Sequence, residues 1–510
     1  MVGPKWTPPP GPVMEEFQAA SGGRLTGQPT DPRTWWTVFN DSTLNGLVDK
    51  AYTENLDVQA AGMRIVQARA ALSINKWALV PLPTASAGIT RSKFSQNLSP
   101  ELTINPPTVP LPIPPAILPS VSYVPYLTVY DMSTAALWEP DIWGKQRRNL
   151  RAAKANVDAV TSEYHQALVA LSGDVASNYI KYRTLGQQRA RLEEDIETLN
   201  EVAKAAEERK TQDADSALAQ TILKETQAKV PTLEAAQQQT ENALCVLLGM
   251  PPQDLRCIIA KSSKIPRAPK KVAIGVPADL LRRRPDVMAA GSQVALELEK
   301  LGVAKARIYP SLSLFGVVGQ RSTASSQIFD NNSWRGAVGG SVDITGLLVY
   351  PVTQNLTRAQ NARLQEAVFA YQNAVLNAAR EVENSAVAFV KTQDQLPLYN
   401  KSAESASEAV KSSLAQYKEG KSDFASVIVS CQYLVSQRDL EVQTRGMNSL
   451  SLVAMYRALG GGWQTDGCRE IASEKTKKEL ESRTEFKSFD GPTKLRPIGP
   501  TAEPPPAKQQ

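Results

Sequence analysis

Nowhere in its 510 residues does the sequence hold the roughly 18 to 20 uninterrupted apolar residues that a membrane-crossing helix needs. Any passage through a bilayer would therefore have to be made as a closed β-barrel, the other architecture that satisfies every backbone polar group in lipid. Histidine is nearly absent, with His165 alone, and the four cysteines, Cys245, Cys257, Cys431 and Cys468, form no CxxC pair. Zinc, other cofactors and histidine-based catalysis find no support in that inventory, and no grouping of acid, base and nucleophile points to an enzyme. Cys245 and Cys431 stand in apolar helical context and read as buried thiols. Cys257 and Cys468 each follow a helix end, where an oxidising compartment would allow a disulfide. The net charge of +6 is spread too thinly for nucleic acid, and no basic run carries interleaved aromatics. Met1-Val2-Gly3-Pro4-Lys5 shows no charged segment followed by an apolar one, so no signal peptide is visible and the chain reads as either trimmed or not exported.

Aromatics make up only 6% of the chain, a balance that long helices rich in Ala, Gln, Glu and Lys would produce. The most informative feature present is an internal repeat. Asp57-Val58-Gln59-Ala60-Ala61-Gly62 recurs as Asp286-Val287-Met288-Ala289-Ala290-Gly291, and the register continues through Leu72 with Leu301, Ile74 with Val303 and Pro81 with Pro310. Each copy reads as helix, strand, loop, strand, long helix, long helix. Strand patterning follows each proline, at 84–90 and 311–317, and returning segments lie at 126–138 and 334–345. Thr128, Tyr130, Met132 and Thr134 fall on one face. The first connecting loop holds eight prolines from Pro100 to Pro119, a density that excludes helix and interior strand. It reads as a linker or as a barrel-rim loop, and the repeat register favours the second.

From about Lys145 to Glu208 no proline occurs, and Tyr164, Leu168, Leu171, Val175, Tyr182, Leu185, Leu192, Ile196 and Leu199 make a coiled-coil seam interrupted by Asn178 and Arg189. Asn178 either fixes register or faces water. Comparable helices run from Ala362 to about Lys418 and from Phe424 to Leu459, with Gly420 at the turn. At 1.5 Å per residue, about 55 helical residues reach roughly 80 Å, too long for one compact globule. Two hairpins supply four strands, too few to close a barrel with a lumen, so a membrane-spanning form requires several protomers around an axis.

Specific wording then appears in Trp138-Glu139-Pro140-Asp141-Ile142-Trp143-Gly144, in Leu247-Leu248-Gly249, in Pro277-Ala278-Asp279-Leu280-Leu281-Arg282-Arg283-Arg284-Pro285-Asp286-Val287, in Tyr309-Pro310-Ser311-Leu312, and in Tyr456-Arg457-Ala458-Leu459-Gly460-Gly461-Gly462-Trp463. Together, over about Val2 to Trp463, these resemble the TolC/OprM-like outer-membrane efflux proteins, especially their NodT-like lipoprotein branch. The resemblance implies an α+β membrane protein: a homotrimer whose protomers each give four strands to a twelve-stranded barrel in outer-membrane lipid, continued by a periplasmic α-helical barrel. It also implies a passive duct for small molecules such as drugs, docked on a periplasmic adaptor and an inner-membrane transporter of the resistance-nodulation-division type. The organisation expected is an N-terminal segment at 1–54, repeats at 55–260 and 261–463, and a disordered periplasmic tail at 464–510. Met1 stands where the family carries an acylated cysteine, which puts a lipid anchor in question. Gly460, Gly461 and Gly462 follow a helix and lack the Lys-Ser/Thr of a phosphate loop, so they read as a helix terminator.

In the family, helix-hairpin tips close the periplasmic end and open by splaying. Here the tips fall at about 209–219 and 417–430. The family's apolar ring position reads Ala425 and its carboxylate position, four residues on, reads Val429, with Ala219 at the corresponding site of the first copy, so an acidic ring is not expected. Val429 could instead make an apolar constriction, with Lys421 and Asp423 in contacts between hairpins, or these are ordinary tip residues. Asp213 stands where the family's tip glycine lies, and Asp tolerates the left-handed conformation better than most residues. A metal-ion or type I secretion duct, and a soluble periplasmic coiled-coil adaptor, are the competing readings; the duplicated strand hairpins argue against the adaptor.

Overall fold

A computed structural model describes residues 2–4, 7, 24–26, 32–93, 126–209, 213–259, 264–273, 283–464, 471 and 474–484. Two compact units result. One combines Met1–Lys5, Ala71–Ala153 and Leu298–Ala362; the other combines Trp6–Ala70, Lys154–Glu297 and Arg363–Gln510.

The repeat is visible in the element boundaries. Helices α1 (Ser42–Glu54) and α2 (Leu56–Trp77) precede strand β2 (Leu82–Lys93), the short β1 (Leu25–Thr26) having come before them. After the short β4 (Val272–Ala273), α5 (Pro285–Ala306) precedes β5 (Ser311–Ser322). Both α2 and α5 have 22 residues, both β2 and β5 have 12, and one constant offset superposes all four boundaries. The shared pattern is used in the same way: Val58 and Ile65 are buried, as are their counterparts Val287 and Val294. Returning strands β3 (Tyr126–Trp138) and β6 (Trp334–Asp343) complete the hairpins. Long helices α3 (Lys145–Arg209) and α4 (Asp213–Leu247) follow the first hairpin. The short α6 (Thr345–Leu348), α7 (Tyr350–Lys418) and α8 (Phe424–Ala458) follow the second.

In the first unit the sheet is antiparallel, in the order β2-β3-β5-β6. Strands of 10 to 13 residues are long enough for a tilted strand to cross a hydrocarbon core. The wording Trp138 to Gly144 turns the chain from β3 into α3. Trp138 donates its indole N–H to the Leu79 carbonyl (3.2 Å), Glu139 pairs with Lys145 (3.0 Å), and Gly144 takes a positive φ of 85°. Asp141 caps the helix by accepting from the backbone N–H groups of Gln146 (3.0 Å) and Arg147 (2.9 Å). Burial alone would raise the Asp141 carboxyl, but the Arg147 backbone and guanidinium and the Gln146 N–H outweigh it and hold it below the usual carboxylate range. Trp143 stacks on Tyr309 at 4.7 Å and donates to the Pro310 carbonyl at 2.7 Å, which ties the two repeats together at their proline landmark.

The second unit is built from helices. A large core gathers Trp35, Leu44, Leu47, Ile65, Tyr179, Leu244, Phe389 and Leu452. The expected seam on α3 is buried at Tyr164, Leu168, Leu171, Val175, Leu192 and Leu199, whereas Tyr182 and Leu185 are half-buried. Asn178 is half-buried and donates to the Asp174 carbonyl one turn back (2.8 Å), while Arg189 pairs with Glu193 and Glu234. Helix α7 begins at Tyr350, earlier than the Ala362 expected, and Pro397 lies inside it. Cys245 and Cys431 are buried free thiols, and burial pushes Cys431 up to about 11. Cys257 is a free, exposed thiol; Cys468 lies outside the described residues, as does the proline-rich loop.

Two features depart from an unstructured tail. Ile471 is buried in the main core, its carbonyl and Cγ2 lying where a Cβ on Gly62 would stand. Glu474–Thr484 then form α9, supported by the Glu479–Arg483 pair one turn apart. One apolar residue in a polar stretch leaves little periodicity from which to foresee this docking.

Candidate functional site

No helix among the described residues is long and apolar enough to cross a membrane. Because residues alternate between the faces of a strand, the observed register sorts the sheet into two unlike surfaces. Ala85, Ala87 and Ile89 share one face with Tyr130, Met132 and Ala136, with Leu314 and Val318, and with Val338 and Val342; Arg91, Lys93, Gln320 and Ser322 join it toward the hairpin-loop end, and Thr128 and Thr134 lie on it too. That face is uncovered, Ile89 being 70% and Val338 91% exposed. The opposite face is mixed: it carries Thr84, Ser86, Asp131, Ser133, Ser313, Arg321, Arg335 and Ser341 beside Leu127, Val129, Leu137, Phe315 and Val317, and it holds the sheet's charge cluster of Asp131, Arg321 and Arg335. Strands β2 and β6 stand at its two edges without a neighbouring strand among the described residues. The Thr128, Tyr130, Met132 and Thr134 face foreseen from alternation is part of the apolar surface. The polar cluster of Asp131, Arg321 and Arg335 was not foreseen, since it depends on register across three strands; its one sequence signal was Asp131 interrupting the other face of β3.

At the hairpin ends in the second unit, four helices pack around Leu199, Val202, Leu223, Val410, Tyr417, Phe424, Val427 and Ile428. The turn from α7 to α8 closes at Gly420, whose φ of 79° is accessible without strain to glycine; the Lys421 N–H bonds back to the Gln416 carbonyl at 2.9 Å. Lys421 pairs with Glu419 (2.6 Å), and Asp423 accepts from the Ser426 hydroxyl (2.6 Å), which holds its carboxyl below the usual range. Both partners lie within the same turn. Ala425 and Val429 lie on the exposed side of α8, one turn apart, and Tyr433 continues the stripe, at 49% exposure for Val429 and 63% for Tyr433. No charged residue occurs between Asp423 and Arg438. Ala219 differs from this expectation: it is buried in the packed cluster with Phe424, a seam position rather than an exposed one. Alanine is too small to signal its burial by hydrophobic contrast. Asp213 is the first residue of α4, and its side chain lies outside the described residues.

The remaining motif residues build joints. Arg284, buried, donates to the Ala458 carbonyl (2.5 Å), Asp286 (2.7 Å) and Glu381 (2.7 Å), directly before Pro285 opens α5. Burial would lower its basicity, but the two carboxylates more than offset that. Gly460, with φ of 69°, ends α8 under the Arg284 side chain, and Gly461 donates back to the Tyr456 carbonyl (3.0 Å). The Gly462 carbonyl accepts from the Tyr52 hydroxyl (2.8 Å), and Trp463 stacks on His165 at 4.4 Å. The run is a helix terminator, as its position after a helix indicates. Burial lowers His165 to about 4.

The profile of the family described as outer membrane efflux protein matches residues 47–250 and 276–461, one match on each repeat. The chain belongs to the outer membrane efflux protein family. It is 26% identical to Nodulation protein T of Rhizobium leguminosarum bv. trifolii over 87% of this chain and 89% of that one. It is also 26% identical to Outer membrane protein OprJ of Pseudomonas aeruginosa, over 91% and 93%. Among solved structures, the outer-membrane channel OprN superposes with a TM-score of 0.81 at 26% identity, covering 91% of this chain and 99% of that one. The Campylobacter jejuni CmeC outer membrane channel shares the fold, with a TM-score of 0.78 at 21% identity over 95% and 98%. The protein is thus an outer-membrane channel component of an efflux system, and the soluble-adaptor reading falls away.

Proposed function

We propose that three copies close their four-stranded sheets into one twelve-stranded barrel, apolar face to lipid and opposite face to a water-filled lumen, and that their long helices continue this lumen as a periplasmic tunnel. The duct is passive and carries out no catalysis. Small molecules are delivered to it by a periplasmic adaptor and an inner-membrane transporter of the resistance-nodulation-division type. The observation that carries this reading is the two-faced sheet with two open edges: uncapped edges in lipid would leave backbone groups unsatisfied, and only closure with other copies removes them. A second observation supports assembly. On α7, Phe369, Leu376, Val387 and Leu398 are all exposed and recur at spacings of seven and eleven, which puts them on one stripe suited to a neighbouring helix. Relatives are named for pyoverdine export and for toluene efflux, which fits small organic cargo of varied chemistry.

The tips of α8 form the gate, with Ala425 and Val429 facing the axis and Lys421, Asp423 and Gly420 shaping the turn. Uncharged, closely apposed surfaces there favour the closed arrangement. Val429→Asp places like charges around the axis; at about 8 Å and an effective dielectric near 20 each pair repels by about 2 kcal/mol, enough to shift opening more than tenfold. Purified protein should be a trimer by light scattering, and in planar bilayers the variant should pass steady current where the parent opens rarely. A monodisperse monomer without detergent, or variant trimers as silent as the parent, would refute the duct or the gate respectively.

A further inference from the structure

The face opposite the apolar one carries a charged constellation that spans three strands. Asp131 on β3 accepts from the Arg321 Nε on β5 (2.8 Å) and from the Arg335 terminal amine on β6 (2.9 Å), while the Ser133 hydroxyl also donates to it (2.9 Å). Arg335 reaches Asp131 across the intervening strand β5, and it crosses beside Gly319, which is paired with both Arg335 and Ser133. A Cβ at 319 would meet the Met132 carbonyl at 2.3 Å and the Ser133 Cα at 2.6 Å, so the close approach excludes every other residue. Small residues also flank the constellation on β2, where Gly88 pairs with Asp131 and Ser86 with Ser133.

Two guanidiniums share one carboxylate, leaving one positive charge uncompensated. Arg321 spends only its Nε on Asp131; its side chain is 55% exposed and its terminal nitrogens have no partner among the described residues. The Arg335 Nε also lacks one, but that atom is shielded from solvent. The exposed, unspent terminal nitrogens of Arg321 offer what a carboxylate, sulfonate or phosphate oxygen accepts.

We propose that this constellation is an anion-attracting ring in the barrel lumen, a level at which small anionic solutes are favoured over cationic ones. The proposal rests on the trimeric barrel reading: three copies put six guanidiniums and three carboxylates around one axis, and charged rings in a confined pore bias the ions that pass. Arg321 makes the outer contact with the solute, Asp131 and Gly319 hold Arg335 extended across the sheet, and Ser133 orients Asp131.

The test uses Ser86→Cys as a reporter beside the constellation, in protein whose four native cysteines are replaced. In outer-membrane vesicles its labelling rate is measured with a sulfonate-bearing and a trimethylammonium-bearing methanethiosulfonate, a readout independent of whether the periplasmic tips are open. The ratio of anionic to cationic rates should fall roughly tenfold in Arg321→Gln/Arg335→Gln protein and rise in Asp131→Asn protein. Arg321→Gln alone, altering the more exposed arginine, should show a smaller fall and guards against misfolding of the double variant. An unchanged ratio across these backgrounds overturns the proposal while leaving the barrel intact. Val338→Cys, on the apolar face, distinguishes the other failure: if it labels as fast as Ser86→Cys, the face assignment and the barrel reading fail, and the ring fails with them.

Discussion

The two repeats join their last helix to their first short one through the same geometry but with different chemistry. In the first copy the Asn55 side-chain amide donates to the carbonyl of Leu247, the last residue of α4 (3.0 Å), and its oxygen caps α2 by accepting from the Val58 N–H (3.0 Å). In the second, Arg284 stands at the equivalent position and donates to the carbonyl of Ala458, the last residue of α8. Gly249 and Gly460 follow at matching places, each with φ of 69°. Duplication has kept what the backbone needs, a donor for an orphan helix carbonyl and a left-handed terminator. What changed is charge: a neutral amide in one joint, a buried cation held by Asp286 and Glu381 in the other. The second joint has also gained Trp463 against His165, where the first continues as Met250-Pro251-Pro252.

The largest effect expected from breaking this asymmetry is at Arg284. Arg284→Ala removes the donor to Ala458 and leaves two carboxylates without their cation. Breaking a buried ion pair costs about 3 to 5 kcal/mol, and because Asp286 and Glu381 are 32% and 50% exposed water recovers part of it, so about 3 kcal/mol is expected. Arg284→Lys should recover less than half, since one ammonium cannot span three acceptors as the guanidinium fork does. Thermal unfolding followed by helical circular dichroism reads the loss. A variant within 0.5 kcal/mol of the parent, about the scatter of surface substitutions, would mean that the charge in the second joint is dispensable.

Acid should separate the joints next. An unfolded imidazole titrates near 6.5 and His165 in the fold near 4, because burial disfavours the charged ring. The folded protein therefore binds fewer protons between those values. His165 contributes stability that is fully present above about pH 6.5 and is lost as pH falls toward 4, about 2 kcal/mol of it by pH 5. His165→Phe keeps an aromatic ring against Trp463 and removes the titration. Its melting temperature should decline less than the parent's between pH 7 and pH 5, and hydrogen exchange at the end of α8 should lose its acid sensitivity while that at the end of α4 stays the same. Parallel declines would remove His165 as the acid-labile element.

Much of the fold was legible because its signals are long and repeated: the α3 seam, the paired helices and the constant offset of the copies survive errors at single positions. The joints were legible only in half. Arg284 stood out within a basic run before Pro285, but Asn55 is one polar residue in an unremarkable sentence of sequence, and its role appears once Leu247 is brought beside it. The sheet's charged cluster was hidden for a related reason. Alternation sorts residues within a strand, but the meeting of Asp131 with Arg321 and Arg335 depends on strand register, and the long first loop leaves that register undetermined from sequence. Ala219 was placed at the gate, not in the seam, because the tips repeat every few residues and a slip along the helix alters which side a small residue faces.

The smallest effect expected is the one that tests whether the two joints are equivalent at all. Asn55→Ala deletes the cap on α2 and the donor to Leu247, both neutral hydrogen bonds, and should cost about 1 kcal/mol. Asn55→Ser keeps a capping oxygen but is too short to reach the Leu247 carbonyl as well, so it should recover only the capping share. Exchange at the end of α4 should then remain accelerated in Asn55→Ser while the first turn of α2 is protected again. Were both variants equally protected at both places, the contact with Leu247 would be incidental, and the cation in the second joint would be an addition of its own and not the counterpart of Asn55.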